Sequence, residues 1–353
     1  MIYRLFAIAS IRISSLALIC ALGWTANVQA YDLSLPWPNG SSLQRFMPQP
    51  VEFPSQSPFA LNDIGGSPEP TTARGQLFMP EFADDEAPVP AVVMLHGAGG
   101  IMSARELTYG RQFAAMGVAA LVVDVFGARR EFASSFTDRL LNITETMFLA
   151  DAHAARNFLA RLPEIDGSRV ALIGFSYGGM AATYAAHEQV SAAFAPVNDQ
   201  FRAFVAFYAP CIVSFETPKP ARSPLLMLYG DQDEIIDIAR CEETAEALRD
   251  NGGEVENVLF EGAFHQWDGG SSGGRRLSRG LADCHLRVEE DLDIRDTRTG
   301  LPMSAVWNRM LILGLCVDDD GYVIKRDDAV RARSNAVLAA FLAKAFTEPL
   351  AGG

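Results

Sequence analysis

The amino-acid sequence predicts an α/β fold, a mostly parallel central sheet with helices on both faces. Two observations carry that prediction. From Ala91 onward, apolar runs of strand length alternate with segments of helix length, the order that strand–helix–strand crossovers produce. The runs are also apolar throughout rather than at every second position, as in "AVVMLHG", "RVALIGF" and "PLLMLYG". Such strands are buried on both faces, as in parallel sheets covered by helices.

The elements follow in chain order. Residues 1–30 read as a secretory signal. Arg4 and Arg12 precede the apolar run "ISSLALICALGW", and the small-residue site "VQA" closes at Ala30. The run is too short for a comfortable membrane span, so no stable span is expected once the signal is removed. Between Tyr31 and Pro90 lie 11 of the 19 prolines, which excludes long helices there. Within that stretch "PVEFPS" and "ARGQLFMP" read as short strands at a sheet edge. Then come "AVVMLHG", a helix over 103–116, "VAALVVDVFG", a helix over 145–161 and "RVALIGF". A further helix follows Ser176, and "RAFVAFYAP", "PLLMLYG", a helix near 238–251 and "VENVLFEG" continue the alternation. A last helical pattern runs from about Ala329 to Phe346. Residues 266–327 break this rhythm. They begin with the glycine-rich "DGGSSGGRRLSRG" and read as an insertion, either lying over or beside the active face or forming a plain surface excursion.

The chain has 353 residues, 49% of them hydrophobic, which suits a globular protein with a large core. Its formal charge is −14. That balance argues against nucleic acid as a partner, since a basic footprint is expected for it. Four cysteines remain after Cys20 of the signal: Cys211, Cys241, Cys284 and Cys316. An even number in an exported chain suggests two disulfides. Three pairings are possible, and the reading favours Cys211–Cys241 with Cys284–Cys316. There is no C-x-x-C pair, so the spacing gives no sign of a metal site. "CVDDDGYVIKRD" fails as a calcium loop, because Cys316 stands at the first ligand position and Asp327 at the last.

The stretch "GFSYGG" matches G-x-S-x-G at Gly174, Ser176 and Gly178, with a strand leading in and a helix leading out. That context makes Ser176 the candidate nucleophile, held clear of the sheet on a strained turn. A serine hydroxyl needs a base. Of the five histidines, His265 in "FEGAFHQWD" follows the last strand pattern on the side where strand C-termini end, the edge at which such sheets gather catalytic groups. His96, His153, His187 and His285 read as packing or surface residues. "YGDQDEIID" supplies the carboxylate that orients the histidine; Asp233 is chosen, with Asp231 its rival. The developing oxyanion needs backbone donors. These are assigned to Tyr177, next to the nucleophile, and Ala98 in "HGAGG".

Together "PAVVMLHGAGG", "VVDVFGARR", "ADAHAARNFLARLPEIDGSRVALIGFSYGG", "YAPC", "LLMLYGDQDEIID" and "EGAFHQWD" make the chain resemble the dienelactone hydrolase family of the α/β-hydrolase superfamily, over roughly residues 50–265. The resemblance implies one α/β-hydrolase domain over 31–353 carrying the insertion. It implies Ser176, Asp233 and His265 as a triad, Tyr177 and Ala98 as oxyanion donors, and cofactor-free hydrolysis of small-molecule esters or lactones. Two departures stand out. The best-known members carry cysteine where this chain has Ser176, and glutamate where it has Gly97, so a serine–histidine mechanism is expected and dienelactone becomes a doubtful substrate. "DVFGARR" also offers Arg129 and Arg130 near the strand ends, either as ligands for a substrate carboxylate or as structural ion-pair partners. The expected protein is a periplasmic or secreted serine esterase. The other readings are an exported serine peptidase and a non-catalytic hydrolase-like binding protein.

Overall fold

The computed structural model describes residues 31–196 and 199–348; the signal assigned to 1–30 lies outside them. The proline-rich start holds β1 (Gln49–Gln56) and β2 (Pro70–Phe78), besides two short 3₁₀ turns. Then follow β3 (Val89–Leu95), α1 (Glu106–Ala115), β4 (Ala119–Val123), α2 (Phe136–Asn142), α3 (Glu145–Leu159), β5 (Ile165–Phe175), α4 (Tyr177–Ala185) and α5 (Glu188–Phe194). The second half continues with β6 (Phe204–Phe207), β7 (Val213–Phe215), β8 (Leu225–Gly230), α6 (Ile238–Asp250) and β9 (Val255–Phe260).

Eight of these strands form one sheet in the order β1-β2-β4-β3-β5-β6-β8-β9. β1 and β2 pair antiparallel, β2 meets β4 antiparallel, and every later pairing is parallel. Only β1 of the two proline-flanked strands is at the edge; β2 lies one position in. This is the α/β-hydrolase arrangement.

The uniformly apolar strands are covered on both sides. In β3 and β4, Val93, Leu95, Leu121 and Val123 face α3 and α4, packing with Phe148, Leu149 and Ala181. Their neighbours Val92, Met94, Ala120 and Val122 face the other way, onto Tyr109, Phe113, Phe341 and Leu342. Each of these valine, leucine, methionine and phenylalanine side chains contributes about 1.5–3 kcal/mol by leaving water, which fixes the sheet as a platform for the loops at its strand ends.

The stretch read as an insertion is ordered by its own small elements: β10 (Arg275–Leu277), β11 (Leu286–Val288), β12 (Ile294–Asp296), α7 (Val306–Cys316) and β13 (Tyr322–Ile324). β10 pairs with β13, while β11 lies between β12 and β7, which precedes the insertion. Disulfides join Cys211 to Cys241 and Cys284 to Cys316, the latter pinning the end of α7. α7 turns Trp307, Leu311 and Leu315 outward, with Trp307 72% exposed. The chain ends in α8 (Asp328–Thr347), whose N-cap Asp327 accepts from the Ala329 and Val330 amides at 2.9 and 3.0 Å. No described helix is long and apolar enough to cross a membrane.

Candidate active site

Strand β5 ends at Phe175 and α4 begins at Tyr177, so Ser176 alone makes the turn between them. It does so at φ +52°, ψ −110°. A non-glycine residue at positive φ stores about 1–3 kcal/mol of strain, held here by a bond from the Ser176 amide to the Phe207 carbonyl at 2.9 Å. The flanking glycines are needed for space. A Cβ on Gly174 would overlap the Gly178 carbonyl, and one on Gly178 would stand 2.6 Å from the Leu95 carbonyl oxygen and 2.7 Å from that of His96.

His265 lies in the loop after β9 and is fully buried. The Ser176 hydroxyl lies 3.0 Å from its Nε2, and its Nδ1–H donates to Asp233 Oδ2 at 2.6 Å. With the proton on Nδ1 and directed at the carboxylate, Nε2 is left as an acceptor for the serine proton. Tyr208 and Tyr322 meet the imidazole edge-on, with centroids 4.8 and 4.9 Å away. Asp233 lies in the loop after β8 and accepts the Ile235 amide at 3.2 Å. Asp231 instead accepts the Gly262 amide at 2.7 Å, bracing two loops. It does not reach the histidine.

Tyr177 is the first residue of α4, where an amide has no partner inside the helix. Ala98 lines the same cavity as Ser176. Gly97 lets that loop approach: a Cβ there would lie 3.3 Å from both Ser176 Cβ and the Phe175 carbonyl. The remaining histidines serve elsewhere. His96 is buried and donates Nδ1–H to the Gly97 carbonyl at 2.8 Å. His153 stacks on Phe194, and burial lowers its pKa to about 3; burial likewise lowers His187, stacked on Phe215, to about 4. His285 is exposed, in the insertion.

The structure places Arg129 and Arg130 away from the lining of the cavity beside Ser176. The Arg129 guanidinium is buried and grips Asp151 with both nitrogens, at 2.7 and 3.1 Å, and also donates to Ser57 Oγ and the Gln56 carbonyl. All its donors are directed into the scaffold, so it is a structural ion pair. Arg130 is exposed, and neither residue lines the cavity beside Ser176.

That cavity has a volume of about 320 Å³. Its walls are mainly apolar: Leu140, Leu141 and Met180 from the scaffold, Leu281, Met310, Leu313 and Val317 from the insertion. Arg279 and Asp319 are its charged lining residues. The sequence reading missed the roof, α7, and with it Arg309, which reaches Glu145 and Tyr177. It also missed a buried set behind His265. There Tyr208 donates to Asp268 at 2.7 Å and Arg105 pairs with Glu106 at 2.6 Å. Burial raises the Asp268 carboxyl above the usual range.

The sequence profile of the dienelactone hydrolase family matches residues 75–272, more than half of the chain. The chain belongs to the dienelactone hydrolase family. It is therefore a carboxylic ester hydrolase. A Salmonella typhimurium LT2 protein carrying the provisional name carboxymethylenebutenolidase is 25% identical over 243 residues, 61% of this chain and 85% of that one. Two solved structures are similar at lower identity. A dienelactone hydrolase-like promiscuous phosphotriesterase from metagenomic libraries is 20% identical, covering 63% of this chain and 84% of its own, with a TM-score of 0.44. A Thermogutta terrifontis esterase is 19% identical, covering 55% and 80%, also at 0.44. Most of the insertion lies beyond the family match.

Proposed function

We propose that the protein is an exported serine esterase acting through Ser176, His265 and Asp233. The observation that carries this reading is the continuous chain from Ser176 Oγ to His265 Nε2 and from Nδ1 to Asp233, at 3.0 and 2.6 Å, beside an apolar cavity. Ser176 Oγ attacks the ester carbonyl while His265 takes its proton, and Asp233 stabilises the imidazolium that forms. The tetrahedral oxyanion accepts hydrogen bonds from the Tyr177 and Ala98 amides. The leaving alcohol takes the proton from His265, which leaves an acyl-enzyme. His265 then activates a water that releases the acid.

The walls favour an ester or lactone with an apolar group of a few carbons at the carbonyl. A dianionic substrate would find a single cation, Arg279, opposed by Asp319. Two disulfides support export, since such bonds persist in oxidising compartments.

The test is turnover of p-nitrophenyl esters of increasing chain length. Ser176→Ala and His265→Ala should each lose at least about 10⁴-fold in kcat, and Asp233→Asn should lose about as much. Asp231→Asn should stay within tenfold of the parent. Turnover of peptides alone would favour a peptidase, and no turnover by folded protein would favour a binding protein.

A further inference from the structure

Arg309 sits on α7, the roof of the cavity, yet its guanidinium points down into the scaffold and is buried. Nη2 donates to both carboxylate oxygens of Glu145, at 3.0 and 3.1 Å, and to the Tyr177 hydroxyl at 3.0 Å. Nε donates to the Leu140 carbonyl at 2.6 Å. The Tyr177 hydroxyl in turn donates to the Ile143 carbonyl at 2.8 Å. One guanidinium thus joins the roof helix to α2, to the start of α3 and to the first residue of α4. Its neighbours Met310 and Leu313 line the cavity.

A buried ion pair is a weak source of stability, since apolar side chains of similar volume often do as well. What the pair supplies is geometry. The planar guanidinium fixes the spacing of its two partners, the Leu140 carbonyl on Nε and the Glu145 carboxylate on Nη2, relative to α7. Tyr177 is held by its hydroxyl at two points while its amide adjoins the nucleophile.

We propose that Arg309 is a positioning residue for ester hydrolysis. It sets the height of the α7 roof over the cavity. Through the Tyr177 hydroxyl, it also fixes the turn of α4 whose first amide receives the oxyanion. The proposal rests on Ser176 being the nucleophile.

Three variants test it: Tyr177→Phe, Arg309→Lys, and the double variant Arg309→Met with Glu145→Gln. The readouts are kcat and KM for p-nitrophenyl acetate and hexanoate, thermal midpoint, and labelling of Ser176 by a fluorophosphonate. Tyr177→Phe removes only the hydroxyl tether and should lower kcat about 3- to 10-fold with KM for acetate unchanged; the thermal midpoint should fall by a few degrees, because the Ile143 carbonyl loses its donor. The double variant should lower kcat about 10- to 100-fold, the scale expected from small misplacement of reacting groups. It should also raise KM for hexanoate more than for acetate. Arg309→Lys keeps a charge for Glu145 but not the fork, and should resemble the double variant in kcat.

Wild-type kcat and an unchanged hexanoate-to-acetate ratio in Tyr177→Phe and in either folded Arg309 variant would overturn the proposal. Should the Arg309 variants not fold, Tyr177→Phe decides it alone. An unlabelled Ser176 in the parent enzyme would instead remove the reading beneath it.

Discussion

The sheet scaffold and the insertion are ordered by different physics, and His265 is one of the places where they meet. His265 follows β9 of the sheet, yet its carbonyl accepts the Lys325 amide at 3.0 Å, and it bridges Ile324 of β13. The scaffold side is built from continuous apolar strands buried on both faces. The insertion side has strands of three residues, one helix with an apolar outer face, and a disulfide at that helix's end. A packed core fixes Ser176, His265 and Asp233; a few specific bonds hold the roof. Changes in the scaffold should therefore abolish function or folding, while changes in the insertion should tune substrate choice.

The sharpest contrast is between two glycines. Gly178→Ala would drive a methyl group against the Leu95 and His96 carbonyls. Loss of soluble protein, or a fall of at least about 10³-fold in ester turnover, is expected. Gly314→Ala, on the roof, has nothing within 4 Å. Because Gly314 also lines the cavity, the change should add about 0.5–1 kcal/mol of helix stability, leave acetate turnover within about threefold and act mainly on the hexanoate-to-acetate ratio. Equal damage from the two would break the comparison.

Acid should strike the scaffold next. His153 and His187 are neutral in the fold down to about 3 and 4 because burial disfavours the charged ring. In the unfolded chain both protonate below about 6.5. Their contribution is therefore present at pH 7 and lost progressively as pH falls from 6.5 toward 4. Between pH 7 and 5 the pair should cost about 4 kcal/mol of unfolding free energy. Urea titrations of the parent and of His153→Leu at the two pH values check this, and the variant should show about half the loss from this source.

The disulfides refine the comparison further. They close loops of nearly equal length, with separations of 30 and 32 residues. Replacing either pair by serine should cost about 3.7 kcal/mol by the chain-entropy argument. Only loss of Cys284–Cys316 should change the hexanoate-to-acetate ratio, because only that bridge holds α7. A similar change from Cys211→Ser with Cys241→Ser would assign the roof's order to the scaffold instead.

The same contrast explains what could be read from the sequence. β3, β5 and β8 were legible because long apolar runs announce burial on both faces, and α3 because its pattern spans 15 residues. The elbow was legible because G-x-S-x-G is a local steric requirement. Asp231 and Asp233 differ only in which loop partner each meets, so their separation needed three dimensions. Arg129 was ambiguous for the same reason, because Asp151 lies on α3, 22 residues away. α7 and its Arg309–Glu145 pair left no local signal: its apolar residues face both inward and outward, and its ion-pair partner stands 164 positions earlier. Short strands such as β10 and β13 depend on each other and carry little pattern alone.

The central claim is that His265 activates Ser176. Intact-mass and peptide mapping after brief exposure to a fluorophosphonate, with the parent, Ser176→Ala and His265→Ala in parallel, tests it most directly. The account predicts one adduct per parent chain, located on Ser176, and none on Ser176→Ala. On His265→Ala it predicts labelling slowed at least about 10³-fold. Labelling of another residue, or unchanged labelling of Ser176 without the imidazole, would contradict it.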